Sequence, residues 1–136
     1  MKRFILLGYQ VAAGGADALT GALLVAEPAL ALQWMGLRAP ADAMPFIAYI
    51  GSFVLAVGLC YLYGAMLVWR CGCISKVETI WLLTAIVRIS VAAFVFTSVL
   101  SRALDVGWST VGVFDCACAL IQAVGLRKGW LLHVEG

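Results

Sequence analysis

The sequence predicts an all-α integral membrane protein, a four-helix bundle with both termini in the cytoplasm, and three observations lead there. The first is composition: the 136 residues are 65% hydrophobic and only 12% charged. Soluble domains run near half apolar and a quarter charged, and so short a chain has too little interior to hide this much apolar surface from water. The second is a set of four apolar stretches, 4–26, 44–69, 78–100 and 107–126. Each is about long enough to cross the ~30 Å hydrocarbon core as a helix. The third is the placement of basic residues, which sets the orientation. Continuous apolar runs exclude the short alternating segments of a β-barrel, and a spanning helix satisfies its own backbone. The length allows one membrane domain, residues 1–136. A net charge of +2 gives no reason to expect a nucleic-acid partner.

Helix 1 opens with "MKRFILLGYQVAAGGADA", which imitates a signal peptide in its basic start, apolar core and small residues. The apolar character continues to Ala26, so the segment reads as a retained span. Two small-residue rows run along it: Gly8, Ala12, Ala16 and Thr20, and beside them Gly14, Ala18, Ala22 and Ala26. Such rows let helix backbones approach in lipid, where no hydrophobic force drives association. They make helix 1 either central or the contact for a partner.

The connection 27–45, "EPALALQWMGLRAPADAMP", holds all three prolines. Residues 27–38 read as a short helix in the outer interface, with Trp34 and Met35 dipping into lipid. A loop over the outer mouth of the bundle fits the same residues. Helix 2 carries Gly51, Gly58 and Gly64, and "RCGCISKVE" (70–78) and "SRALDVG" (101–107) separate the remaining helices.

Lys2, Arg3, Arg70, Lys76, Arg127 and Lys128 fall on one side of four spans. Arg38 and Arg102 fall on the other, with Glu27, Asp42 and Asp105. The positive-inside rule makes the first side cytoplasmic and suits a bacterial inner membrane. Trp34, Trp69, Trp81, Trp108 and Trp130 all fall near expected membrane interfaces, where an amphipathic ring prefers to sit.

Three charges lie inside the spans. Asp17 is ~20 Å from the cytoplasmic end, and Arg88 and Asp115 are ~14–17 Å from it, so all sit near the midplane. A lone charge there costs about 2.5–3.5 kcal/mol on insertion scales. Each lies on a polar or small seam: Gln10, Gly14, Asp17 and Gly21; Thr84, Arg88 and Ala92; Trp108, Gly112, Asp115, Cys118 and Gln122. Steps of three and four place each set on one helix face. Arg88 is expected to pair with Asp115 across the helix 3–4 hairpin. Asp17 is either a second acceptor or a protonated carboxyl, since desolvation disfavours the charged form. The cluster either fixes helix register or holds a ligand or proton, with Gln10, Thr84, Gln122 and Tyr61 in support and Tyr49 or Tyr63 as further donors.

Other chemistry is sparse. The one histidine, His133, lies in the C-terminal tail, so two in-membrane imidazoles for a haem are lacking, as are a catalytic triad and a two-histidine metal motif. Cys71 and Cys73 face the cytoplasm in this topology, where thiols stay reduced. Nothing nearby completes a metal site around them; they read as free thiols or acylation sites. Cys116 and Cys118 lie about 200° apart on helix 4 and cannot pair. With no complete catalytic set, the chain reads as non-enzymatic, with no cofactor of its own.

"PALALQWMGL", "YIGSFVLAVGLCYLYGAML", "VRISVAAFVF" and "VFDCACALIQAVGLRKGW" together resemble the layout of small DoxX-like four-helix membrane proteins. In that layout an outer segment follows helix 1, helix 2 is glycine-spaced, helix 3 carries an arginine and helix 4 an aspartate. The resemblance implies that Arg88 and Asp115 match recurrent polar positions, and some members are linked to quinone-dependent sulfur oxidation. Three functions follow as expectations. The first is an accessory or structural subunit of a larger membrane complex, respiratory or photosynthetic, with other membrane subunits or further copies as partners. The second is a quinone- or lipid-binding redox protein, and the third a small transporter or proton carrier. Four helices are few for alternating access, and the two halves show no repeat.

Overall fold

The computed structural model describes residues 3–70 and 74–131. Five helices follow in chain order: α1 (Arg3–Ala26), α2 (Pro28–Trp34), α3 (Met44–Arg70), α4 (Ile74–Leu100) and α5 (Ser109–Arg127). Single 3-10 turns, Ala41–Ala43 and Val106–Trp108, lead into α3 and α5. No strand occurs among the described residues. The all-α class holds.

Three of these stretches are long and apolar enough to cross a membrane: Ala41–Arg70, Ser75–Leu100 and Val106–Arg127. Within them only 17%, 33% and 28% of the residues are buried inside the chain, so the apolar remainder needs lipid or protein around it. The fourth expected span, α1, has the length, at 24 residues. It falls short in apolar character because Gln10, Asp17 and its glycines dilute it.

Helix limits follow the sequence closely, with one informative difference. The sequence reading starts the third long helix at 78, at the end of the break "RCGCISKVE" (70–78). In the structure α4 begins at Ile74. A helix need not stop where the hydrocarbon does, and Val77 is fully buried. The expected short outer helix is present as α2, with Pro28 in its first turn and Ala31 and Leu32 buried. Gly36 ends it at φ 69°, letting the Leu37 N–H reach the Leu32 carbonyl at 2.8 Å. That is the reversal glycine permits past a helix end, and it buries Leu37.

The chain forms two compact units. In the first, Gly8–Ala65, α1 and α3 run antiparallel and nearly touch backbones. A Cβ on Gly58 would strike the Ala18 backbone and the Gly14 carbonyl. One on Gly21 would strike Leu55 and the Gly51 carbonyl, and one on Gly14 would lie 2.7 Å from the Tyr61 Cβ. Of the row Gly14, Ala18, Ala22 and Ala26, the first two take part while Ala22 and Ala26 are exposed, and Gly21, on the expected seam with Gln10, Gly14 and Asp17, makes the next close contact. Within this unit the other row faces outward: Ala12 and Ala16 are exposed, and a Cβ on Gly8, or on neighbouring Gly15, would meet nothing within 4 Å.

The second unit contains α4, α5, the chain up to Leu7 and the end of α3 from Met66. α4 and α5 form an antiparallel hairpin, with Gly112 against Phe96 and Val95 and Gly125 against Trp81 and Trp130. The hairpin turn holds Arg102 in a left-handed conformation, φ 60°, and Ala103 and Leu104 both donate to the Ser98 carbonyl at 2.8 and 3.1 Å. The Arg3 guanidinium donates to the Val68 and Trp69 carbonyls at 2.9 and 2.6 Å, covering acceptors that the last turn of α3 leaves open. One tryptophan departs from the expected interfacial belt. Trp81 is 0% exposed, packed over Gly125, and serves as core.

Candidate functional site

The hairpin carries a polar ladder. Arg88, on α4, is 2% exposed and donates through Nη1 to Asp115 Oδ1 on α5. The expected ion pair is therefore formed. Its guanidinium carbon also lies 5.3 Å from the centre of the Phe114 ring, close enough for the ring face to stabilise the cation. Burial makes this pairing necessary, since a guanidinium in an apolar interior is tolerable only when paired and hydrogen-bonded.

One turn along α4 is the second rung. Thr84 donates to the Ile80 carbonyl at 2.7 Å, and Gln122 Nε2 donates to Thr84 Oγ1 at 2.7 Å. The hydroxyl passes a donor on to its own helix and accepts one from the next, which satisfies it. Gln122 is fully buried, and its Oε1 has no hydrogen-bond partner. The ladder can thus fix the register of two helices, and it leaves one buried acceptor open to a donor.

The predicted seams mostly face inward. Gln10, Gly14, Asp17 and Gly21 are all buried on α1, and Gly112, Cys118 and Gln122 on α5. Asp17 belongs to the Gly8–Ala65 unit, where it is 8% exposed. Gln10, in the same unit, is 0% exposed, and neither atom of its amide has a hydrogen-bond partner. Its Nε2 lies opposite Gly64, within 2.6 Å of where a Cβ would stand, so only glycine leaves room for it.

Of the tyrosines, Tyr61 is fully buried with its hydroxyl 3.5 Å from that of Tyr9. Tyr49 and Tyr63 do not join any cluster: they are 64% and 48% exposed, and Tyr49 packs edge-on against Phe53 at 5.0 Å. Sequence reasoning overlooked Tyr9 and Phe114. Their signal was adjacency, since Tyr9 precedes Gln10 and Phe114 precedes Asp115.

Among the described residues no three of His, Cys, Asp or Glu gather as a metal site. Cys60, Cys116 and Cys118 are not disulfide-bonded among the described residues, and the last is buried. Cys71, Cys73 and His133 lie outside the described residues. Compared with family models, curated proteins and solved structures, the chain matches none.

Proposed function

We propose that this chain is a non-enzymatic accessory subunit of a larger complex in a bacterial inner membrane, respiratory or photosynthetic in kind. In this reading α1, α3, α4 and α5 form a four-helix bundle with both termini cytoplasmic. One observation carries it. Within the Gly8–Ala65 unit, the small residues Gly8, Ala12, Gly15 and Ala16 leave the α1 backbone uncovered, although the opposite side of the same helix is packed on α3. Lipid tails gain little from a flat strip of small residues, whereas a second helix gains close van der Waals contact there. The diluted apolar character of α1 points the same way, because a helix lined by protein needs less of it than one facing lipid. The Arg88–Asp115 pair is then a register device.

The test is purification of the tagged protein in mild detergent, with mass spectrometry of co-eluting proteins, lipids and quinones. Larger membrane subunits at fixed stoichiometry are expected. A lone protein or homo-oligomer would reject the reading.

A second reading has its own observation. The amide of Gln10 and the carbonyl of Gln122 are fully buried hydrogen-bonding groups without partners, each costing roughly 1–3 kcal/mol. A ligand carbonyl could accept from the Gln10 amide N–H, and a ligand hydroxyl could donate to the carbonyl of Gln10 or of Gln122, each in its own unit. This favours a DoxX-like quinone- or lipid-binding protein, and the same purification separates the two by what co-elutes.

A further inference from the structure

At the open end of the α4–α5 hairpin lies a shallow groove of about 430 Å³, lined by Ser75, Glu78, Thr79, Leu82 and Leu126. Its chemistry changes with depth. Ser75, Glu78, Thr79 and Leu82 recur along α4 at helical steps and so share one face. The polar three come first and the leucine last, a turn further into the span, with Leu126 of α5 completing the apolar part. The groove's height is fixed by the spans themselves, since Ser75 begins one of them and Arg127 ends another. It therefore sits where headgroups meet acyl chains.

One carboxylate lines it, and two cations follow one of its lining residues in the chain. Glu78 is half-buried, and among the described residues its carboxylate has no hydrogen bond or ion pair. Thr79 donates its hydroxyl to the Ser75 carbonyl at 3.1 Å, which leaves its oxygen free to accept. Arg127 and Lys128, both exposed, directly follow Leu126. A carboxylate lining the groove, with two cations following the lining residue Leu126 in the chain, suits neither a purely anionic nor a purely cationic guest. It suits a zwitterion.

We infer that this groove is a binding site for a phospholipid whose headgroup ends in a primary ammonium. The ammonium is held by Glu78 with the Ser75 and Thr79 hydroxyls, and the phosphate turns toward Arg127 and Lys128. One acyl chain lies along Leu82 and Leu126. A primary ammonium has three N–H donors for these acceptors, as a lysine does; a quaternary choline has none. A charge-assisted hydrogen bond outranks a bare ion pair, so the site discriminates between two headgroups of identical charge. The site goes beyond the subunit reading and stands whichever function is correct.

Purified protein in detergent micelles is offered phosphatidylethanolamine, phosphatidylcholine and phosphatidylglycerol in equal amounts, and bound lipid is counted by native mass spectrometry. The ethanolamine lipid is expected to be retained over the other two by roughly threefold to fivefold, the reach of one partly exposed charge pair. Glu78→Gln should bring its retention down to that of the choline lipid. Leu82→Trp, which fills the apolar half, should lower retention of all three. Equal retention of the three by the unsubstituted protein, or an ethanolamine preference that survives Glu78→Gln, overturns the proposal. Both substitutions lie at a helix surface, and the helical circular-dichroism signal verifies folding. If Leu82→Trp does not fold, Glu78→Gln decides alone.

Discussion

Where α1 meets α3, the contact is made by residues with almost no side chain; where α4 meets α5, it is made by the side chains with most to lose in hydrocarbon. The first contact brings Gly21 and Gly58 onto the backbones of Leu55 and Ala18. Backbones that come this close gain van der Waals contact. The second contact is bridged by Arg88–Asp115 and Thr84–Gln122. The difference teaches how each pair should fail. A glycine contact breaks when anything is added, and a polar ladder breaks when one half is taken away.

The largest effect is expected from Arg88→Leu. It strands Asp115, and removing one partner of a buried pair costs about 3–5 kcal/mol, because the remaining charge stays desolvated. Reversible unfolding by dodecyl sulfate in mixed micelles measures this. Arg88→Leu combined with Asp115→Leu should cost less than Arg88→Leu alone. If the double substitution is the worse of the two, the ladder is not held by a desolvated pair.

Next comes Gly58→Val. The added Cβ meets the Ala18 backbone and the Gly14 carbonyl, which cannot rotate away as a flexible side chain would. Overpacking of this kind costs about 1–3 kcal/mol. Gly15→Val on the open side of α1 is the control and should cost distinctly less. Similar losses for the two would mean that the α1–α3 contact is looser than its glycines imply.

Gln122→Leu should be smaller again. Interhelical hydrogen bonds in membranes average ~0.6 kcal/mol, and the substitution also removes a buried carbonyl that has no partner. Thr84 keeps its bond to the Ile80 carbonyl. A stability change within ~0.6 kcal/mol, read by the same unfolding assay, is the structural outcome. Loss of a co-purifying quinone at unchanged stability would instead move the ladder into a ligand site.

How much of this was legible in the sequence depends on what kind of signal each feature leaves. Helix limits are written in apolar runs and in punctuation such as Pro28, so α1, α2 and α3 fall within a residue or a few of expectation. The start of α4 was not legible, because hydropathy reports where the membrane ends and not where the helix does. Arg88 and Asp115 stood out as charges that need partners, and helical spacing alone put Thr84 and Gln122 beside them. Trp81 was misread, since an interfacial tryptophan and a core tryptophan look alike until Gly125 is seen beneath one of them. On α1 the seam Gln10, Gly14, Asp17 and Gly21 was legible as inward, whereas the row Gly14, Ala18, Ala22 and Ala26 holds only in its first half, Ala22 and Ala26 being exposed.

The smallest effect on the isolated chain is the most informative for function. Gly8→Leu with Ala12→Leu changes a face where a Cβ at Gly8 would meet nothing within 4 Å, and Ala12 is exposed. Such substitutions usually move stability by no more than about 0.5 kcal/mol, and replacing a helical glycine gives back part of that through propensity. The unfolding midpoint should therefore stay where it was. Co-elution of larger subunits should not survive, because two leucines hold a neighbouring helix off the backbone that the small row exposes. A loss of partners at constant stability is something no internal packing role produces. If the partners remain, the open row of α1 is not where the complex forms, and the unpartnered amides of Gln10 and Gln122 become the better guide to what this protein binds.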